Sequence, residues 1–342
     1  MVQKLLNGMI IIRKEPGYTS NDVVAKLRGI LHMKKIGHTG TLDPDAEGVL
    51  PVCLGNATKL VDLIADRDKE YVAVMKLGVT TDTGDLSGNS SVLTEVAETV
   101  IKSEISESEV RDVCQSFVGE YDQIPPMYSA LKVNGRKLCD LARSGVTVER
   151  KARRVHIYEL EVRSVELPFI TISVRCSKGT YIRTLCEDIG NQLCVTDVPA
   201  GGNADTAVGA AMQHLTRTRV GQFRLEDALT LGEVEELMSS GNDSYERIRS
   251  HILPVENFFS DCPGIMTKPE TDSRLLNGNT LIAEDLAEDT VKKSGGNKMF
   301  CRDETDGNKP VRYRAFDSTG QFRAVYLYDS SDGIYRSEKM FL

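Results

Sequence analysis

Stretches with the two-residue period of a strand and the 3.6-residue period of a helix alternate along this chain without any repeating unit of fixed length. That irregularity fits an α+β fold, a mainly antiparallel sheet flanked by helices, better than a doubly wound one. Gly8 to Arg13 reads as a short buried strand, and Thr19 or Ser20 caps a helix with Val23, Val24, Leu27, Ile30 and Leu31 on one face. A glycine-rich loop runs from Gly37 to Gly48. Tyr71 to Val79 has strand composition and ends at a turn-forming cluster, Thr81 to Asp85. Ser106 and Glu109 form a capping box for a helix closed by Gly119. Val155 to Leu167 and Phe169 to Cys176 read as strands; in the second, Ile170, Ile172, Val174 and Cys176 alternate with polar residues, so one face is buried. Thr180 is placed to cap a helix using Ile182, Leu185, Cys186, Ile189 and Leu193, and Thr230 with Glu233 caps another.

A chain of 342 residues accommodates one large domain and a smaller one. Two segments differ in texture from the rest. Val198 to Ala211 is rich in Gly and Ala and reads as a flexible surface insertion, and beyond Pro263 short strands (Lys298 to Arg302, Val311 to Phe316, Phe322 to Tyr328) suggest a small β-rich domain. No run approaches the roughly 20 apolar residues that cross a bilayer, and the opening apolar run is too short for a signal peptide. The expectation is therefore a cytoplasmic protein.

Eight cysteines form no C-x-x-C pair and sit near no histidine cluster, which points to reduced thiols rather than a metal centre. The net charge is −8, but Tyr128 to Arg154 holds eight basic and two acidic residues, so +6 there leaves −14 elsewhere. An acidic body with one basic arm suits a polyanion docked at one face.

The chemistry-bearing candidate is the run Gly37-His38-Thr39-Gly40-Thr41-Leu42-Asp43-Pro44. Glycines allow tight turns and prolines stiffen the chain after the aspartate, so a short carboxylate is held on a rigid loop. By itself the pattern is more often that of a capped turn. It matches neither a P-loop nor a dinucleotide fingerprint, and no G-x-S-x-G elbow supports a serine hydrolase.

The run GHTGTLDPDAEGVLPVCLGNATK strongly resembles the catalytic segment of the TruB family of tRNA pseudouridine synthases. The blocks KEPGYTSNDVV, DKEYVAVMKLGVTTDTGD, IPPMYSALKVNGRKLCDLARSG, VRCSKGTYIRTLCEDIG and LTRTRVGQFRLEDAL occur in the family's order, covering roughly residues 7 to 260. The tail, with LLNGNTL and EKMFL, is loosely similar to the PUA-related domain of bacterial members. The resemblance implies a pseudouridine synthase fold over residues 1–262, with a basic RNA-gripping insertion at about 122–155, and a PUA-like domain over 263–342.

It also implies a reaction: uridine to pseudouridine at position 55, in the T-loop of tRNA. The base must leave C1′ through N1 and return through C5; nothing is oxidised or lost, so no cofactor is expected. By the family pattern Asp43 is the nucleophile, attacking either C1′ or the base. Tyr71 stacks on the base and helps remove the C5 proton, and Arg183 pairs with the carboxylate, which would favour its ionised form. Tyr181 and Leu215 match further pocket positions. His38 matches the residue that takes the place of the flipped nucleotide. Lys14 and Lys59, with Lys132 and Arg136 in the arm, are candidate RNA contacts. A monomer needing no protein partner is expected. The alternatives are a guide-RNA-dependent synthase acting on ribosomal RNA, a non-catalytic RNA chaperone, and a base-excising glycosidase, the last disfavoured because no second acid is placed for it.

Overall fold

The computed structural model describes residues 6–88, 90–133, 135–196, 206–239, 241, 243–287 and 311–342. Its body is a sheet built from β1 (Gly8–Lys14), β2 (Ile36–His38), β3 (Glu47–Leu54), β4 (Lys69–Leu77), β5 (Gly119–Gln123), β6 (Arg153–Glu166), β7 (Phe169–Cys176), β8 (Ala210–Val220) and β9 (Phe223–Arg224). The strand order is β1-β3-β8-β4-β7-β6-β5, with β2 added to β3 and β9 to β8. Neighbours are antiparallel except β3 and β8, which run parallel and pair only at Thr216↔Glu47 and Arg217↔Gly48. The catalytic-loop candidate enters the sheet at that short seam.

The helices packed on this sheet include α1 (Ser20–Ile30), α2 (Glu107–Ser116), α3 (Ile182–Gln192) and α4 (Leu231–Ser239). Full capping boxes close α1 through Thr19 and Asp22 and α2 through Ser106 and Glu109. Thr230 and Glu233 exchange the same pair of bonds at the start of α4. Thr180 does not cap α3. Its hydroxyl donates to Ser177 O, and the helix begins after Tyr181, whose N–H is taken by the Gln123 side chain.

β1 explains its own unbroken apolar run, because both faces are covered. Ile10 and Ile12 pack with Val23, Leu27, Leu50 and Val234, while Met9 and Ile11 pack on the opposite side with Val49, Phe258 and Phe259. A third core, between the central strands and α2 and α3, gathers Ala73, Ile172, Val174, Leu185, Ile189 and Leu215.

The segment expected to be a flexible insertion divides. Residues 197–205 lie outside the described residues, but Thr206–Ala207 pairs with Cys194–Val195, and Val208, Ala210 and Ala211 are buried. Small side chains are required there because α3 approaches the start of β8 backbone to backbone. A Cβ on Gly190 would lie 2.4 Å from Ala210 N.

Beyond Pro263, β10 (Gly264–Met266), β11 (Val311–Phe316), β12 (Phe322–Asp329) and β13 (Ile334–Met340) form a separate sheet in that order. It has its own core around Ile265, Leu275, Leu281 and Tyr326, and it joins the body through Phe259, Phe322 and Phe341. The expected strand Lys298 to Arg302 lies outside the described residues. Cys53, Cys114 and Cys176 are buried free thiols, and burial pushes each up to about 12. No helix among the described residues is long and apolar enough to cross a membrane.

Candidate active site

β2 ends at His38, the chain turns through residues 39–46, and it returns as β3. Two buried cations hold this turn by its carbonyl groups. Lys14, fully buried, donates from Nζ to Pro44 O at 2.8 Å, Ala46 O at 2.5 Å and Glu15 O at 3.1 Å. Arg217, 1% exposed, donates from Nε to Val49 O at 2.7 Å, from Nη1 to Thr41 O at 3.4 Å and from Nη2 to Gly40 O at 3.3 Å. Gly48 crosses directly over this arginine at φ +112°, where a Cβ would lie 2.2 Å from Arg217 O; only glycine fits. Leu42 is fixed inward, its N–H bonded to Ser20 Oγ at 2.9 Å and its side chain in the core that holds Tyr71 and Leu215. With Leu42 turned in, Asp43 is turned out, its side chain 38% exposed.

Arg183 reaches Asp43 from the first turn of α3. Its Nε lies 3.0 Å from Oδ2 and its Nη2 3.4 Å from Oδ1, a two-pronged ion pair. The guanidinium itself is 6% exposed and is aimed by Thr83 O and Tyr128 O, each at 2.8 Å, with Asp85 Oδ2 3.8 Å away. Asp85 is oriented in turn by the hydroxyls of Thr83 and Ser87, both at 2.7 Å. The turn cluster after β4 thus supports the arginine, a role its sequence did not suggest.

Tyr71 on β4 is 8% exposed, and burial raises its phenol above the usual range despite the nearby Arg217. The register sets Arg217 opposite Tyr71 and Leu215 opposite Ala73, so these side chains share one face of the sheet. Tyr181, half-buried, is the residue from which α3 starts. The Gln123 amide clamps its backbone, accepting from Tyr181 N at 2.8 Å and donating to Tyr181 O at 2.9 Å. His38 is half-buried; burial, and then Arg217, lowers its pKa, and Nδ1 is buried without a partner. The fold therefore gathers Asp43, Arg183, Tyr71 and Leu215 from four separate elements, with His38 at the entrance to the same loop.

One candidate RNA contact is corrected and a second has a structural partner as well. Lys14 has its ammonium enclosed by three carbonyls and offers no face to a phosphate. Lys59 is exposed, but its Nζ donates to Met340 O while its own carbonyl accepts from Lys339 Nζ, so it secures the C-terminal sheet. The basic insertion is also narrower than 122–155, because β5 extends through Gln123 and β6 starts at Arg153. Arg154 belongs to β6, paired with Asp122 at 2.9 Å and Glu120 at 3.2 Å. Between the strands, residues 124–152 keep six basic and two acidic residues. Lys132 and Arg136 stand on a small exposed hairpin, in no ion pair among the described residues. No group of three or more His, Cys, Asp or Glu among the described residues could hold a metal ion.

Comparison with known proteins bears on the family of the chain. Residues 28–182 match the N-terminal domain of TruB family pseudouridylate synthases, and residues 204–260 match the C-terminal domain of tRNA pseudouridylate synthase B. The chain is 44% identical to tRNA pseudouridine synthase B of Lachnoclostridium phytofermentans, over 98% of this chain and all of that protein. It is 41% identical to the protein of that name from Listeria monocytogenes F2365, over 81% of this chain and 84% of the relative. Among solved structures, a Cbf5-Nop10-Gar1 complex aligns with TM-score 0.65 and 27% identity, over 98% of this chain and 85% of that one. An H/ACA RNP bound to a substrate RNA containing 2′-deoxyuridine aligns with TM-score 0.64 and 26% identity, over the same shares. With an arginine-braced aspartate on a clamped loop and relatives this close over nearly its whole length, the chain belongs to the TruB family of pseudouridylate synthases.

Proposed function

We propose that this enzyme converts the T-loop uridine at position 55 of tRNA to pseudouridine, flipping it out of the stack and using Asp43 as nucleophile. The observation that carries this reading is the Asp43 carboxylate, part-exposed on its loop and held at 3.0 Å by the nearly buried guanidinium of Arg183. An acid so placed is fixed in orientation yet open to a substrate on one side. Tyr71 and Leu215 form the apolar floor that receives the base. His38, whose ring burial keeps neutral, fills the gap left in the RNA; stacking of about 1–3 kcal/mol offsets much of the cost of flipping.

The basic residues of 124–152, with Lys132 and Arg136 at their exposed hairpin, grip the phosphate backbone. The enzyme acts alone, as a monomer in the cytoplasm, and takes a folded tRNA as substrate. Relatives at 39–44% identity are named tRNA pseudouridine synthase B, which favours tRNA over other RNA. The structural likeness to H/ACA complexes at 25–27% identity supports the second reading, a guide-RNA-dependent synthase.

One experiment separates them. Purified enzyme and its Asp43→Asn variant are incubated with bare tRNA transcript labelled with tritium at uridine C5. The native enzyme is expected to release tritium and form pseudouridine; the variant should form none while binding tRNA within about tenfold, or ~1.4 kcal/mol. Product from Asp43→Asn defeats the nucleophile assignment. Inactivity of the native enzyme on bare tRNA revives the guide-dependent reading or a chaperone, and free uracil indicates a glycosidase.

A further inference from the structure

Besides Arg183, which pairs with Asp43, three cations are buried around the catalytic loop: Lys14, Lys69 and Arg217. Their ammonium and guanidinium groups donate to neutral carbonyl oxygens. Lys14 holds those of Glu15, Pro44 and Ala46, and Arg217 those of Gly40, Thr41 and Val49. Lys69 Nζ donates to Ala65 O at 2.6 Å and Arg67 O at 2.5 Å. Among the described residues none of the three forms an ion pair with a carboxylate. A carbonyl dipole satisfies a cation's hydrogen bonds without cancelling its charge; Asp43, Asp45 and Glu47 partly offset that of Lys14, whereas Arg217 has no carboxylate within ion-pair distance among the described residues. Arg217 is central to this group. It lies directly across from Tyr71 on the adjacent strand, its field reaches His38, and its guanidinium grips the loop on both sides of Asp43.

The reaction of this family calls for such a potential at one moment. When the N1–C1′ bond breaks, its electron pair leaves with the base, which becomes an anion spread over N1 and the two carbonyl oxygens. The base then turns, C5 supplies the pair for the new C5–C1′ bond, the C5 proton departs and N1 takes up a proton. The Arg183 guanidinium is already paired with Asp43, with Asp85 3.8 Å away, so it has no surplus charge to offer the base.

We propose that Arg217 is a positioning residue whose uncompensated charge, lodged behind Tyr71, stabilises the departing uracil anion while its bonds fix the loop. The inference rests on the pseudouridine-forming reading but assigns a separate task, charge stabilisation of the leaving base rather than attack on the nucleotide.

The test exploits leaving-group chemistry. Single-turnover rates are measured on RNA carrying uridine or 5-fluorouridine at the target, because fluorine withdraws electrons and lessens the anion's need for help. Arg217→Gln keeps side-chain donors but removes the charge. It is expected to slow loss of the uridine by about 100-fold and to slow the fluorinated base several-fold less, with tRNA affinity unchanged. Equal slowing of both substrates, as mere loop disorder would give, overturns the proposal.

If that variant does not fold, Arg217→Lys decides. A lysine in this setting is expected to lose its proton readily, as burial lowers Lys14 and Lys69 to about 8. The Arg217→Lys rate on uridine should then fall relative to wild type between pH 7 and 9, and fall less on 5-fluorouridine. The titrating or charged groups facing position 217 (Tyr71, His38, Asp43, Lys14 and Lys69) are common to both proteins, so the ratio isolates the substituted residue. A variant-to-wild-type ratio independent of pH and of fluorination overturns the proposal as well.

Discussion

The cations around the catalytic loop and those of the basic arm have the same chemical types and opposite circumstances. Lys14, Lys69, Arg183 and Arg217 are buried, and each donates to two or more backbone carbonyls. Lys132 and Arg136 are exposed on a two-residue-per-strand hairpin. A buried cation whose bonds are all made cannot reorient, so it fixes geometry and potential. An exposed one costs little to move and is screened by salt, so it suits a polyanion whose phosphates must be found and released. On the proposed function, one class would set rate and fold and the other affinity.

Substitutions can break that division. Removing the guanidinium that braces Asp43 is expected to have the largest effect. Arg183→Met should cut the single-turnover rate by about 10³-fold, or ~4 kcal/mol, with tRNA affinity nearly unchanged. A rate within tenfold of wild type would show that the pair at 3.0 Å does not prepare the carboxylate. Lys14→Met leaves three carbonyls without their donor and should lower stability by about 2–3 kcal/mol in urea unfolding. An unchanged midpoint would mean that the turn needs no internal anchor.

The interior class should also respond to pH. Burial lowers Lys69 to about 8, below the 10.5 of the unfolded chain, so between these values the unfolded state holds more protons. Wild type should therefore gain stability relative to Lys69→Met as pH rises from 8 to 10, by about 1–2 kcal/mol. A difference that stays constant with pH would place that ammonium in contact with water. The smallest effect belongs to the arm. Lys132→Ala with Arg136→Ala should weaken tRNA binding about tenfold and reduce the salt slope by about 2, leaving the saturated rate intact. A loss of saturated rate would blur the two classes.

The loop and its partners were legible in the sequence for unequal reasons. Caps at Thr19, Ser106 and Thr230 stem from local chemistry, since each bond closes within three residues. The meeting of Asp43 and Arg183, separated by 140 residues, could be read only through resemblance. Lys14 is misplaced by sequence because a lysine near such a segment looks the same whether its ammonium faces solvent or backbone. Arg217 carries no mark of its role within LTRTRVG; only the pairing with Tyr71 across the sheet shows that it is interior. Residues 206–211 looked flexible for want of large side chains, whereas smallness was the packing requirement.

That requirement reaches further than its location suggests. Gly190 stands seven residues, about 10 Å of helix, from Arg183, and acts as the pivot of the lever on which the guanidinium is carried. Even one methyl group at the pivot would tilt the lever, and its far end would miss Asp43. Substitution at Gly190, remote in sequence from the acid, should therefore be as poorly tolerated as at Gly48, and a search for inactive natural variants should look there as readily as at Asp43.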